Sequence, residues 1–387
     1  MSWQDTVTSG AVAMAPYVYS TSTSQPTMDS CREYNYSTNM TYPALNHVKE
    51  SYGKVHVYIS LVLCTYGVVT NIINIIVLTK PCMRNSINCI LTGIAVADMI
   101  TMMSTIPFTY YYYLMDEEAK KVSLSWITFL AVHMNVTLTS HTASIWLGVI
   151  MAAMRYFFVR PTSRGAKSLD CRSTIIVILA TFLGAALLII PNCLTTGLVP
   201  CRNNRTGQIN WHLKLPSFGQ QDSNILHTVA FFIYPVAGKI IPCALISIFG
   251  GLLLHTLRET DKRSRRLKGE CGSGNGNSQT RRTTVMLLAI IALYIIAELP
   301  QSILVLLCIF VDGFFVDVYH QLGDFIDLLS LINGAMNFIT YIAMSTQFRS
   351  TLAESSSACL HRTTCSRCGN KNALQSTKYS KTPPAPV

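Results

Sequence analysis

Ser140-His-Thr-Ala-Ser-Ile-Trp-Leu-Gly-Val-Ile-Met-Ala-Ala-Met154, followed directly by Arg155-Tyr156, is an uncharged run that ends on a cation. Upstream, Trp126-Ile-Thr-Phe-Leu-Ala-Val-His133-Met-Asn mixes large apolar residues with a few polar ones; downstream come Arg160, Arg164 and Lys167. At about 1.5 Å per residue, such a helix crosses a hydrocarbon core of about 30 Å. It carries too many polar side chains for a rod facing lipid, so its place is the centre of a helical bundle.

The rest of the chain agrees. Half of its 387 residues are hydrophobic and only 13% are charged, with the apolar residues gathered in long runs. The runs give seven candidate spans, at Val55–Thr79, Ile87–Tyr112, Ser125–Phe158, Ser173–Leu194, Ile225–Leu257, Thr283–Val311 and His320–Met344. With residues 1–54 placed outside the cell, 21 of the 30 Lys and Arg residues fall on the cytoplasmic side, which accounts for the net charge of +11 without nucleic acid. The expectation is an all-α membrane protein: an extracellular N-terminal tail over 1–54, a seven-helix bundle over 55–346, and an amphipathic helix plus cytoplasmic tail over 347–387. The N-terminus lacks a basic segment leading into an apolar one, so the first span is expected to direct insertion into the cell membrane.

Sidedness organises the smaller motifs. The sequons at Asn35, Asn39 and Asn204 all lie on the expected outside, as glycosylation requires. Span two ends in Tyr110-Tyr-Tyr-Tyr113 at interface level, span four is expected to break at Pro191, and a loop of about thirty residues containing Cys201 follows. Arg258 to Arg282 reads as a flexible basic inner loop. Residues 346–352 (Thr-Gln-Phe-Arg-Ser-Thr-Leu) read as a helix lying along the membrane surface. Cys359, Cys365 and Cys368 stand close together, but no ligand set closes a zinc site, and lipidation of one of them is the better reading.

Ionisable groups at membrane depth are costly and usually functional. Asp98 lies in mid-span two, Lys239 stands three residues before Pro242 in span five, and Glu298 two before Pro300 in span six. Lys239 and Glu298 lie at similar depth on adjacent spans and are expected to pair. No nucleophile-base pair, phosphate loop or cofactor motif appears, so an enzyme is not expected and no cofactor is implied. A transporter is the remote alternative, weakened by the lack of an internal repeat or a broken-helix pair.

Asn71, Leu91…Ala97-Asp98, Arg155-Tyr156, Pro242, Pro300 and Asn337…Tyr341, in that order along seven spans, resemble the rhodopsin-like (class A) G-protein-coupled receptors over residues 52–352. Lys239-Ile-Ile-Pro-Cys, Ala297-Glu-Leu-Pro-Gln and Asn337-Phe-Ile-Thr-Tyr resemble, more narrowly, the invertebrate myosuppressin and sex-peptide receptor group. The resemblance implies a receptor for a short amidated neuropeptide of the FMRFamide type, working through heterotrimeric G proteins, with the inhibitory class favoured, and through arrestin. A class A receptor for another peptide or a chemosensory ligand is the alternative. Thr137 stands where amine receptors carry Asp, and span seven has no Lys for a retinal Schiff base.

The resemblance also assigns roles. Asp324, Asp327, Tyr110, Tyr113, Trp126, His133 and Thr137 would face the ligand, with acids for a guanidinium and rings for an aromatic side chain. Asn71, Asp98, Ser144, Asn333 and Asn337 would form a polar core able to hold a sodium ion at Asp98, or water. Lys239, Glu298, Pro300 and Tyr341 would take part in switching, and Arg155 and Tyr156 in coupling to the G protein. Departures are equally informative. Met154 replaces the acid beside Arg155, Gln279-Thr-Arg-Arg lacks an acid at the inner end of span six, and both losses predict a less restrained resting state. No Cys ends span three, so Cys31–Cys201 is the expected bridge, with Cys193–Cys201 as the alternative.

Overall fold

The computed structural model describes residues 43–115, 123–159, 170–202, 209–214, 232–268, 275–311, 314 and 318–355. Seven long helices form its frame: α1 (Pro43–Leu78), α2 (Ser86–Thr109), α3 (Leu124–Val159), α4 (Cys171–Thr195), α5 (Ile241–Lys268), α6 (Asn275–Phe310) and α7 (Gly323–Met344). Each contains a stretch long and apolar enough to cross a membrane. Residues 346–355 form the short helix α8, turning Phe348 and Thr351 inward and Gln347, Arg349 and Ser350 outward. The seven-helix bundle and its amphipathic appendage are therefore as the hydropathy pattern implies.

Local chemistry sets the helix ends. Asn85 caps α2 by accepting from the Asn88 N–H at 2.9 Å, and Asp170 caps α4 by accepting from the Ser173 N–H at 3.2 Å. Hydrogen bonds from Ser173 hold the exposed Asp170 carboxyl below the usual carboxylate range. The short α1–α2 connection holds the 3₁₀ turn Pro81–Met83, whose Met83 carbonyl accepts from Asn88 Nδ2 at 2.5 Å.

Four expectations are corrected. Pro191 does not end α4, which runs on to Thr195; the Thr195 hydroxyl donates to the Pro191 carbonyl at 3.1 Å. The segment read as a flexible tail is helical at its inner end, because α1 already begins at Pro43. The basic inner segment is not a loop throughout: α5 continues to Lys268 and α6 starts at Asn275, since Arg, Lys, Glu and Leu are strong helix formers. The outer loop contains the antiparallel strands β1 (Gly197–Arg202) and β2 (Ile209–Lys214), pairing Val199 with His212 and Cys201 with Asn210. Trp211 of β2 packs into the aromatic cluster at the outer ends of α2 and α3, a support that an isolated hairpin would lack.

Among the described residues, two apolar clusters are the largest. The larger, in the inner half, includes Leu91, Ile94, Leu147, Met151, Ile246, Leu287, Tyr294, Tyr341 and Phe348. The outer one gathers Phe108, Tyr111, Ile127, Leu130 and Met134. Ile176, Leu179, Leu183, Ile248 and Ile296 are exposed apolar residues, as lipid-facing helices require.

A buried charge network and a cavity with acids in its wall

Just before α5, the chain makes a π turn over Tyr234–Ile240. The Ile241 N–H reaches back to the Val236 carbonyl, and the next residue, Pro242, has no N–H to give to Ala237. The Ala237 carbonyl accepts instead from Trp146 Nε1 of α3 at 3.2 Å. This turn aims Lys239 into the bundle, where its side chain is 1% exposed. Its Nζ donates to Glu298 Oε2 at 3.0 Å and to Gln301 Oε1 at 2.9 Å. Glu298 and Gln301, three apart in Glu-Leu-Pro-Gln, present adjacent acceptors from one face of α6. The expected Lys239–Glu298 pair is thus formed. His141 of α3 joins it, with Nε2 3.2 Å from Glu298 Oε1.

A second network lies deeper. Asp98 Oδ1 accepts from Ser144 Oγ at 2.9 Å, and Oδ2 accepts from Asn337 Nδ2 at 3.0 Å. The Ser144 hydroxyl also lies 2.9 Å from the Tyr294 hydroxyl, which brings α6 into the group. Asn71 Nδ2 donates to the Gly334 carbonyl at 3.2 Å. Gly334 permits α2 and α7 to approach, since a Cβ there would lie 3.3 Å from the Asp98 side chain. Asn333 is buried nearby on α7, and its Oδ1, like that of Asn337, has no hydrogen-bond partner among the described residues. Carboxylate, hydroxyl and amide oxygens make this a donor set fit for a hard cation such as sodium.

Between the two networks opens a cavity of about 640 Å³, counted to its open side. α1 contributes His56 and Ser60; α2 contributes Asp98, Thr101, Thr105 and Phe108; Tyr113 comes from the turn after it. α3 supplies Thr137 and His141, and α7 supplies Asp327, Ser330 and Gly334. No residue of α5 or α6 lines it, nor does any Lys or Arg among the described residues.

The acids and aromatics of the outer end separate accordingly. Asp327 borders the cavity, whereas Asp324 is 3% exposed and turned toward α1, where a Cβ on Gly53 would lie 3.6 Å from its Oδ2. Asp324 has no hydrogen-bond partner among the described residues, but it lies in the electrostatic reach of His56 and Lys49. Tyr113 and Thr137 border the cavity. His133 is 1% exposed behind it, stacked on Phe108 with centroids 4.6 Å apart. Trp126 stacks on Tyr111 at 3.7 Å, and Tyr110 is 59% exposed, so neither borders the cavity.

At the inner end, Arg155 is 9% exposed, with its guanidinium carbon 5.9 Å from the Phe158 ring centre and no carboxylate partner among the described residues. Tyr156 packs near Phe249 of α5 at 6.2 Å, and Tyr341 lies 5.3 Å from Phe348 of α8. Pro300 lies inside α6, two residues after Glu298. Cys193 is a free thiol, 3.1 Å from Asn135 Oδ1, which removes the Cys193–Cys201 bridge. Cys31, the Cys201 side chain, Asn35, Asn39, Asn204, Asp312, Asp317 and the tail cysteines lie outside the described side chains.

Residues 58–359 match the family model for the serpentine-type seven-transmembrane G-protein-coupled chemoreceptors, Srw. The chain belongs to that family. It is 31% identical to the G-protein coupled receptor dmsr-1 of Caenorhabditis elegans, over 80% of this chain and 69% of the relative. It is 24% identical to the sex peptide receptor of Drosophila melanogaster, over 74% of this chain and 69% of that one. The FMRFamide receptor of the same fly is 23% identical, over 73% of this chain and half of its own length. The protein is accordingly a multi-pass membrane receptor of the G-protein-coupled type, a signalling protein rather than an enzyme.

The sequence singles out Lys239, Glu298, Asp98, Ser144 and Asn337, which these networks join, but not their partners His141, Gln301 and Tyr294. Gln301 was within reach, since it shares a helix face with Glu298. His141 and Tyr294 gave no such sign, because on an apolar helix each looks like a packing residue.

Proposed function

We propose that this receptor binds a short amidated neuropeptide of the FMRFamide or myosuppressin kind in the cavity between α1, α2, α3 and α7, and signals through inhibitory G proteins. The observation that carries the reading is the cavity wall: Asp327 and Asp98 supply carboxylates, and among the described residues no Lys or Arg lines it. Such a wall favours a guanidinium and a neutral C-terminal amide, and repels a free C-terminal carboxylate. Phe108 and Tyr113 add aromatic surface beside it, and two of the relatives, the sex peptide receptor and the FMRFamide receptor, are named for peptide ligands.

Ligand entry from the N-terminal side of α1 fits an extracellular N-terminus. His141 borders the cavity and also touches Glu298, so a ligand that draws on His141 alters the charge balance of the Lys239 pair. α6 carries Glu298 beside Pro300 and can pivot there, opening the inner face near Arg155 to the C-terminal helix of a G protein. Arrestin would use the same face. Sodium, if bound, would be held by Asp98, Ser144 and Asn333 and would add positive charge to the core. A chemosensory small molecule is the second reading, favoured by the family's description as chemoreceptors.

The test applies a panel of amidated peptides and their free-acid counterparts to cells expressing the chain, with cAMP and calcium readouts. A fall in cAMP with amidated Arg-Phe peptides, lost with the free acids, is the expected result. Equal potency of acid and amide, or response to small odorants alone, would overturn the peptide reading.

A further inference from the structure

The inner end of α7 leaves its last three carbonyls without helical partners, and two arginines cover them. Tyr341 O accepts from the Ser345 N–H at 2.9 Å. Ile342 O and Ala343 O accept from Arg349 Nη1 of α8, at 2.6 and 3.2 Å. Met344 O, the last, accepts from Arg282 Nε of α6 at 3.0 Å. Two guanidinium groups therefore cover the negative end of the α7 dipole, one from its own continuation and one from a neighbouring helix.

The α7–α8 corner is otherwise fixed to the bundle. Phe348 is 1% exposed and packs edge-on to Phe338 at 6.1 Å, while Gln347 Nε2 donates to Cys82 O at 3.0 Å in the α1–α2 connection. Arg282 ties this anchored corner to α6 by a hydrogen bond. The restraint that a carboxylate next to Arg155 would give is missing, because Met154 stands there and Arg155 has no acidic partner among the described residues.

We propose that Arg282 is the resting-state latch of this receptor, holding the inner end of α6 to the C-terminal carbonyl of α7 in place of an acidic partner for Arg155. Outward movement of α6 breaks this bond, so the latch opposes activation and is released by it. It is a charge-assisted bond at an exposed site, which makes it weak enough to yield to a ligand.

Full-length receptor in lipid nanodiscs, with its exposed thiols replaced, is spin-labelled at Arg84→Cys, after α1, and at Gln279→Cys on α6. Distances are read without ligand or G protein, and basal nucleotide exchange is measured separately per surface receptor. Arg282→Ala should lengthen the distance and raise basal exchange several-fold, with Arg282→Lys intermediate. Adding Met154→Asp to Arg282→Ala should reverse both changes by giving Arg155 a carboxylate. Arg349→Ala, which uncovers the same row of carbonyls without touching α6, should loosen α8 and leave the α6 distance unchanged. An unchanged distance in Arg282→Ala would overturn the latch, and so would an equal shift in Arg349→Ala. Because the distance needs no ligand, it stands apart from the identity of the peptide.

Discussion

Lys239 Nζ lies 3.0 Å from Glu298 Oε2 with both side chains 1% exposed, so the bundle keeps a full ion pair out of water. Removing one member leaves the other charge buried and uncompensated, at a cost of about 3–5 kcal/mol. Lys239→Met and Glu298→Gln should each lower the melting temperature of the purified receptor and its amount at the cell surface. The reversed pair Lys239→Glu with Glu298→Lys should recover part of both losses, because the Gln301 amide can turn its N–H groups toward the new carboxylate. A double variant no better than the worse single would argue against direct pairing.

Glu298 uses its other oxygen, Oε1, toward His141, whose ring also borders the cavity. Loss of that ring should weaken transmission more than binding. In His141→Phe, ligand affinity should stay within about threefold, under 1 kcal/mol, while the maximal G-protein response falls by half or more. Radioligand binding and nucleotide exchange on the same membranes separate the two. An affinity loss with full efficacy would make His141 a ligand contact only.

Asp324 and Asp327 stand three apart on α7, but only Asp327 borders the cavity. A charge-assisted hydrogen bond to a guanidinium contributes roughly 1.5–3 kcal/mol, so Asp327→Asn should reduce peptide potency about 10- to 100-fold at unchanged surface expression. Asp324→Asn should shift potency far less, and its effect should appear in receptor stability through the α1–α7 contact. Reversed ranking in dose-response curves would move the ligand toward α1.

The bundle was legible because each span writes its own signal: length, apolarity and the side on which the cations gather. Motif chemistry carried equally well wherever charge at membrane depth demanded a partner, as at Lys239, Glu298 and Asp98. It failed where the decisive quantity was direction. Tyr110 and Trp126 have the right composition for a binding surface, yet one faces outward and the other packs on Tyr111. The π turn before α5 is equally hidden, since Pro235, Gly238 and Pro242 signal irregularity without stating how far the register slips. α4 likewise runs past Pro191 to Thr195, which the position of the proline alone does not reveal.

Gly334 offers a last test, aimed at the packing beneath the polar core. A Cβ there would lie 2.9 Å from the Met102 Cε and 3.3 Å from the Asp98 Cβ. The first contact is with the free end of a flexible side chain, which can move; the second is with a carboxylate anchored by Ser144 and Asn337, which cannot move without breaking those bonds. Gly334→Val should therefore destabilise the receptor by about 1–3 kcal/mol, as overpacked cores do, seen as a lower melting temperature in detergent. Met102→Ala introduced alongside should restore part of that loss by removing the movable neighbour, and only part, because the Asp98 contact remains. Full restoration would mean that Asp98 yields freely and that its hydrogen bonds do not fix α2 against α7.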